Sequence, residues 1–133
     1  MRYEPTGHEL NEIAGMVAQQ RMHYFLTRTV ESEEVWVLAD PQGWVMRDDA
    51  GKTILSVWPY RQFAEDCADS ADLRPHATSL DHFIESVMLV LVAQGVYIEV
   101  LPTRQQGGIL IAAAELLEIF EGLVDSGEYY LEG

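Results

Sequence analysis

A chain of 133 residues, 48% apolar and 10% aromatic, has enough apolar side chain for one packed core and is no disordered segment. Twenty-two acidic residues against eight Lys and Arg leave −14 at pH 7, a field that repels phosphate backbones and anionic lipid and so argues against nucleic-acid and membrane partners. Cys67 is the only cysteine, which excludes an internal disulfide, and no apolar run exceeds Val87–Ala93, so a cytoplasmic chain without a membrane span is expected.

The first helix is expected over about 9–31, where Leu10, Ile13, Ala14, Val17, Tyr24 and Phe25 share a stripe at helical spacing. Arg21 interrupts that stripe; its stem would cover apolar neighbours while its head reaches solvent or an acid. Thr29 and Val30 are β-branched and mark where the helix frays. A three-stranded meander follows over about 34–58. Glu34 to Ala39 is apolar on both faces, the pattern of a central strand. Asp40-Pro41-Gln42-Gly43 has the chemistry of a tight turn, Trp44 to Arg47 returns, and Asp48-Asp49-Ala50-Gly51 turns the chain into Thr53 to Val57. Pro59 opens a helix over about 59–68 that presents Phe63 and Cys67 together.

A polar connection runs through Asp69, Asp72 and Pro75. Thr78 and Asp81 then have capping-box spacing for a helix over about 79–94, whose inner face is Leu80, Phe83, Ile84, Val87, Met88 and Leu91. Gly95 stops it. A strand over about 96–101, a turn from Thr103 to Gly108 and a short strand over about 109–111 lead to the last helix, about 113–124. That helix buries Leu116, Leu117, Phe120, Leu123 and Val124 and turns Glu118, Glu121 and Asp125 outward; beyond it, Tyr129, Tyr130 and Leu131 either dock or stay free. With no repeat and no second boundary, the expectation is a single α+β domain over 1–133. It is an antiparallel sheet of about five strands with about four helices packed against it.

Several segments together resemble a bacterial family known as domain of unknown function 2750. They are HYFLTRTVESEEVWVL (His23 to Leu38), Gly43-Trp44, the Trp-Pro and aromatic helix start of Trp58 to Phe63, SLDHFIE (Ser79 to Glu85) and GVYIEVLPT (Gly95 to Thr103). A glycine-led apolar strand and an acidic helix complete the likeness, which spans about Met22 to Phe120. One departure is that members open the last helix with Ser-Pro, where this chain has Ala112-Ala113-Ala114 and lacks the cap. The resemblance implies a fold and no catalytic residues. The same pattern is similar to small bacterial domains with secretion-related or toxin-immunity roles, an analogy of fold alone.

No motif names a reaction. His8, His23, His76 and His82 form no H-x-x-x-H pair and lack a flanking cysteine pair, so zinc-ligand spacing is absent. Asp81, His82 and Glu85 read as a solvated helix terminus. Cys67 lies between Asp66 and Asp69, whose charges raise a thiol pKa, and reads as a small buried hydrophobe. Asp48-Asp49 lacks calcium-loop spacing and Gly107-Gly108 lacks any phosphate-loop pattern; both read as turns. Catalytic, cofactor and metal residues are therefore expected to be none.

Trp36 reads as core. Trp44 and Trp58, next to turns, read as core residues whose rings reach a sheet end, with Tyr60, Arg61 and Arg104 as polar neighbours of a surface patch. The functional expectation is a non-enzymatic protein-binding module, regulatory or immunity-type. A basic protein partner would meet either Glu118, Glu121 and Asp125 or the region of Trp44, Trp58, Tyr60, Arg61 and Arg104. A rival reading is a small-ligand protein or enzyme in which Arg61, Arg104, Tyr60 and His76 converge on a pocket between sheet and helices. A third is a homodimer joined through an exposed strand edge.

Overall fold

The expected first helix is two helices. In the computed structural model, which describes residues 7–104 and 106–126 with the side chains of Leu10, Ala14, Val124, Asp125 and Ser126 excepted, α1 (Gly7–Ala14) ends one residue before Gly15 and α2 (Ala18–Ser32) follows. The side chains at the expected stripe positions Leu10, Ala14 and Val124, and the tail residues Tyr129, Tyr130 and Leu131 altogether, lie outside what the structure describes. Val17 is the extended N-cap of α2 and donates its N–H to Gln20 Oε1 at 3.4 Å, so it stands 64% exposed and leaves the apolar stripe. Thr29 and Val30 do not fray. Both are buried, and α2 ends at Glu33 in the left-handed conformation (φ 60°) with its N–H on the Thr29 carbonyl.

The expected three-stranded meander does not form as one sheet: its middle strand is split into two short strands that belong to different sheets. Strand β1 (Glu34–Asp40) pairs antiparallel with β2 (Gly43–Trp44), whereas β3 (Arg47–Asp49) pairs antiparallel with β4 (Lys52–Val57). At the far end β1 and β4 meet directly: the Trp36 N–H bonds the Trp58 carbonyl at 2.8 Å and the Trp58 N–H the Trp36 carbonyl at 2.9 Å. The outer strands thus touch at one end and are wedged apart at the other by the β2–β3 segment, which divides the expected single sheet into two.

The remaining elements are α3 (Arg61–Cys67), β5 (Arg74–Ser79), α4 (80–93), β6 (Tyr97–Val100), β7 (Ile109–Ala112) and α5 (Ala113–Ser126). One sheet has the order β2-β1-β5 and the other β3-β4-β6-β7. β5 falls in the segment expected to be a polar connection. It pairs with β1 from Glu34↔Ser79 to Ala39↔Arg74, and Pro75 is tolerated because the strand lies at an edge. The sheet is not wholly antiparallel either. β4 and β6 run parallel from Ile54↔Tyr97 to Val57↔Val100, because the long crossover through α3, β5 and α4 returns the chain to the end where β4 began.

Helix α4 begins at Leu80, one residue later than expected, and its cap is Ser79, whose Oγ accepts the His82 N–H at 3.1 Å. A π-turn over Phe83–Val87 interrupts it. Its end is as expected: Gly95 has φ 69° and Val96 donates back to the Leu91 carbonyl at 3.0 Å, a Schellman motif. The missing cap of α5 has a substitute, since the Ala113 N–H, leaving β7, bonds the Val96 carbonyl at 3.0 Å. The core lies between the helices and one side of the second sheet. Phe25, Phe83 and Phe120 meet there, with centroids 6.2 Å (Phe25–Phe120) and 6.4 Å (Phe83–Phe120) apart, above Leu55, Val57, Ile98 and Val100.

Candidate functional site: a cleft at the sheet junction

Strand alternation gives the β3-β4-β6-β7 sheet two unlike sides. Leu55, Val57, Ile98 and Val100 are fully buried on the core side. Ile54, Ser56 and Glu99 point the other way, into a cleft of about 540 Å3. Val45 and Met46, in the gap between β2 and β3, form one wall; Cys67, Leu73, Pro102 and Arg104 form the other. The volume falls within the ordinary range of ligand pockets.

Glu99 sits at the floor. One carboxylate oxygen accepts from Arg47 Nη1 at 2.6 Å and from Ser56 Oγ at 3.0 Å, and the other accepts the Gly108 N–H at 2.9 Å. Burial works against its charge, but the Arg47, Gly108 and Ser56 hydrogen bonds outweigh it and hold the carboxyl below its ordinary pKa. Glu99 is therefore an anion at neutral pH with its acceptors engaged.

The cleft rim is the 101–108 loop, fixed from several sides. Leu101 takes a left-handed φ of 56° and donates to the Val57 carbonyl at 2.9 Å. The Pro102 carbonyl accepts Trp58 Nε1–H at 2.9 Å and the Cys67 thiol at 3.3 Å. Arg21 reaches in from α2 and donates to the Leu101 carbonyl and, at 3.0 Å, to that of Gly107. At Gly108 any Cβ would collide with backbone: it would lie 2.8 Å from Pro102 N and as close to Glu99 Cγ, and it would strike the Val100 carbonyl as well. Only glycine closes the loop there.

Arg21 corrects the sequence expectation. Its head reaches neither solvent nor an acid; the residue is 2% exposed and its guanidinium is caged by carbonyls. Burial lowers its pKa, with the Glu99 charge opposing the shift. Cys67 is half-buried, and its thiol is pushed up to about 11, first by burial and then by the Asp66 charge. It stays protonated at neutral pH and is no thiolate nucleophile.

The other expected site residues scatter. Trp58 and Tyr60 are 1% and 4% exposed, so neither belongs to a surface patch; Trp58 is held by its indole hydrogen bond, and Tyr60 stacks on Phe63 at 6.3 Å. Trp44 is half-buried, its ring 6.1 Å from that of His76. Arg61 pairs with Glu65 at 3.2 Å, while Arg104 donates to the Asp66 carbonyl and lies 3.6 Å from its carboxylate. Only Arg104 of the four expected pocket residues lines the cleft. His76 lies in a separate 380 Å3 recess with Asp40, Asp72 and Arg74, so the expected convergence with Arg61 and Tyr60 does not form.

On α5, Glu118 and Glu121 are exposed together with Glu115, none in an ion pair among the described residues; the Asp125 side chain lies outside them. Sequence reasoning missed Arg47 and Glu99, took Arg21 only as a break in a helical stripe and read Gly108 only as part of a turn. Their signals were breaks in pattern: one charge in the strand Tyr97–Val100 and one in the α2 stripe. Among the described residues no group of three or more His, Cys, Asp or Glu is placed to hold a metal, and no helix is long and apolar enough to cross a membrane.

No curated protein matches the chain. Among solved structures it is similar to Anabaena Tic22 (protein transport), at 15% identity and a TM-score of 0.35, covering 84% of this chain and 55% of that one. The chain thus spans about half the length of that structure's chain. The profile of a family described as protein of unknown function (DUF2750) matches residues 22–120, most of the sequence, and the chain belongs to that family.

Proposed function

We propose that the protein is a non-enzymatic binding module of the cytoplasm, regulatory or immunity-type, that takes a basic protein partner on its acidic surface. The observation that carries this reading is where the charge remains unmatched. Arg28, Arg47, Arg61 and Arg104 each face an acid of their own chain, at 3.1, 2.6, 3.2 and 3.6 Å. Glu115, Glu118 and Glu121 lie exposed on α5 at spacings of three, with no cation opposite them among the described residues. Such a surface steers a basic partner and repels an acidic one. The test is titration of the Glu115→Lys/Glu118→Lys/Glu121→Lys protein with a lysine-rich peptide at low and high salt. Affinity should fall at least tenfold relative to wild type at low salt. Affinity indifferent to both reversal and salt would refute the acidic face.

A second reading has its own observation, the cleft, whose apolar walls and exposed Arg47 and Arg104 guanidinium groups fit a small molecule with an acceptor group. Screening small carboxylates for a rise in Tm, with Arg104→Gln as control, separates this reading from the first.

A further inference from the structure

Val87 to Ala93 is seven apolar residues in a row, within a helix. A helix apolar all round its circumference is stable in water only when covered on every side. In α4 the cover is on one side. The π-turn sets Phe83 and Met88 five residues apart, joined by the Met88 N–H to the Phe83 carbonyl, and both are fully buried with Leu91 beside them. That register carries Leu89 and Val90 to the opposite side, where they are 56% and 54% exposed.

The surroundings of this bare pair have one sign. Asp81 and Glu85, in the first turns of the same helix, are exposed like Leu89 and Val90. Helix α5, packed on α4 through Phe83 and Phe120 at 6.4 Å, exposes Glu115, Glu118 and Glu121. Neither helix contains a lysine or an arginine, although solvated helix faces ordinarily interleave both signs.

Resting on the proposed basic partner, we infer that the outward side of α4 is where it docks: Leu89 and Val90 anchor the apolar stripe of a basic amphipathic helix. Lysines and arginines along its two edges reach Asp81 and Glu85 on one flank and the α5 glutamates on the other. This is helix-on-helix recognition, in which apolar anchors supply affinity and the acidic rim supplies approach and orientation. The sequence alone shows the apolar run; the π-turn determines that Leu89 and Val90 are its large side chains that face out.

The test uses the full chain and two designed probes. One is an 18-residue helical peptide of leucine and lysine with leucines at i, i+3, i+4 and i+7 spacing; the other is an isomer of the same composition in scrambled order. Wild type should bind the amphipathic peptide at least tenfold more tightly than its isomer, with amide shift changes centred on residues 81–93. Leu89→Ser/Val90→Ser should erase that preference and leave the salt-sensitive binding of both peptides. Equal binding of the two peptides, still lost in the Glu115→Lys/Glu118→Lys/Glu121→Lys protein, would overturn the α4 anchor and leave the basic-partner reading standing. No binding of either peptide would overturn both. Should the double variant not fold, the shift map on wild type decides the location by itself.

Discussion

Glu99 uses both carboxylate oxygens inside the chain, on Arg47, Ser56 and the Gly108 N–H. Glu99→Gln keeps the shape and removes the charge, and should lower the free energy of unfolding by about 1–3 kcal/mol. The folded-state pKa lies below the unfolded value, so the stabilisation is complete above roughly pH 4.3 and is lost as pH falls through the folded value. Urea melts of wild type and variant should therefore converge in acid; a gap unchanged from neutral pH down to about pH 3 would contradict the assignment. Cys67 gives a second prediction at this scale. With its thiol at about 11, iodoacetamide should label it about a hundredfold more slowly in the native protein than in the unfolded one, as followed by mass. The sequence showed the Asp66 part of that shift. The larger part, burial against Pro102, depends on a residue 35 positions away and was not readable from neighbours.

Between residues and the whole, the elements were legible in proportion to how local their causes were. The β3–β4 turn follows from Gly51, but Ala50 also holds a positive φ, 51°, which only a special turn requires. Ala50→Asn, placing Asn-Gly in the turn, should stabilise the protein by about 0.5–1 kcal/mol, measured as a higher denaturation midpoint with unchanged m. Gly95 and the end of α4 were equally plain, since glycine after an apolar run is a stop signal carried by one residue. β5 was not legible: Arg-Pro-His-Ala-Thr-Ser has no apolar alternation, and its conformation comes from pairing with β1. Nor was the split of the middle strand, where Trp44, Val45, Met46 and Arg47 read as continuous. It goes with the direct backbone pairing of Trp36 with Trp58, a contact between residues 22 positions apart that no local pattern announces. The cleft inherits this limit. Its floor and rim come from Arg47, Glu99, Trp58 and Pro102, brought together by a parallel pairing that no local pattern announces.

At the scale of the molecule, the dominant quantity is charge. Twenty-two acids on a chain with eight bases repel one another in the folded state more than in the expanded one. Raising sodium chloride from about 10 mM to about 0.2 M shortens the screening length from roughly 30 Å to under 10 Å and should raise Tm. A Tm that is flat or falling over that range would mean that matched pairs such as Arg47–Glu99 outweigh the repulsion. The sign of the field was fully visible in the composition. Its distribution was not, because which acids are matched by arginines is decided by the fold.

The Arg21 guanidinium and the Leu101 carbonyl it holds are 80 residues apart in the chain. In synthesis from the N-terminus, α2 leaves the ribosome with that guanidinium in water long before its carbonyl partners exist. Until residues 101–108 emerge, the early segment carries an ionised, fully hydrated group at a position destined for burial. The cleft rim therefore cannot take its final hydrogen bonds to Arg21 before residues 101–108 have been made.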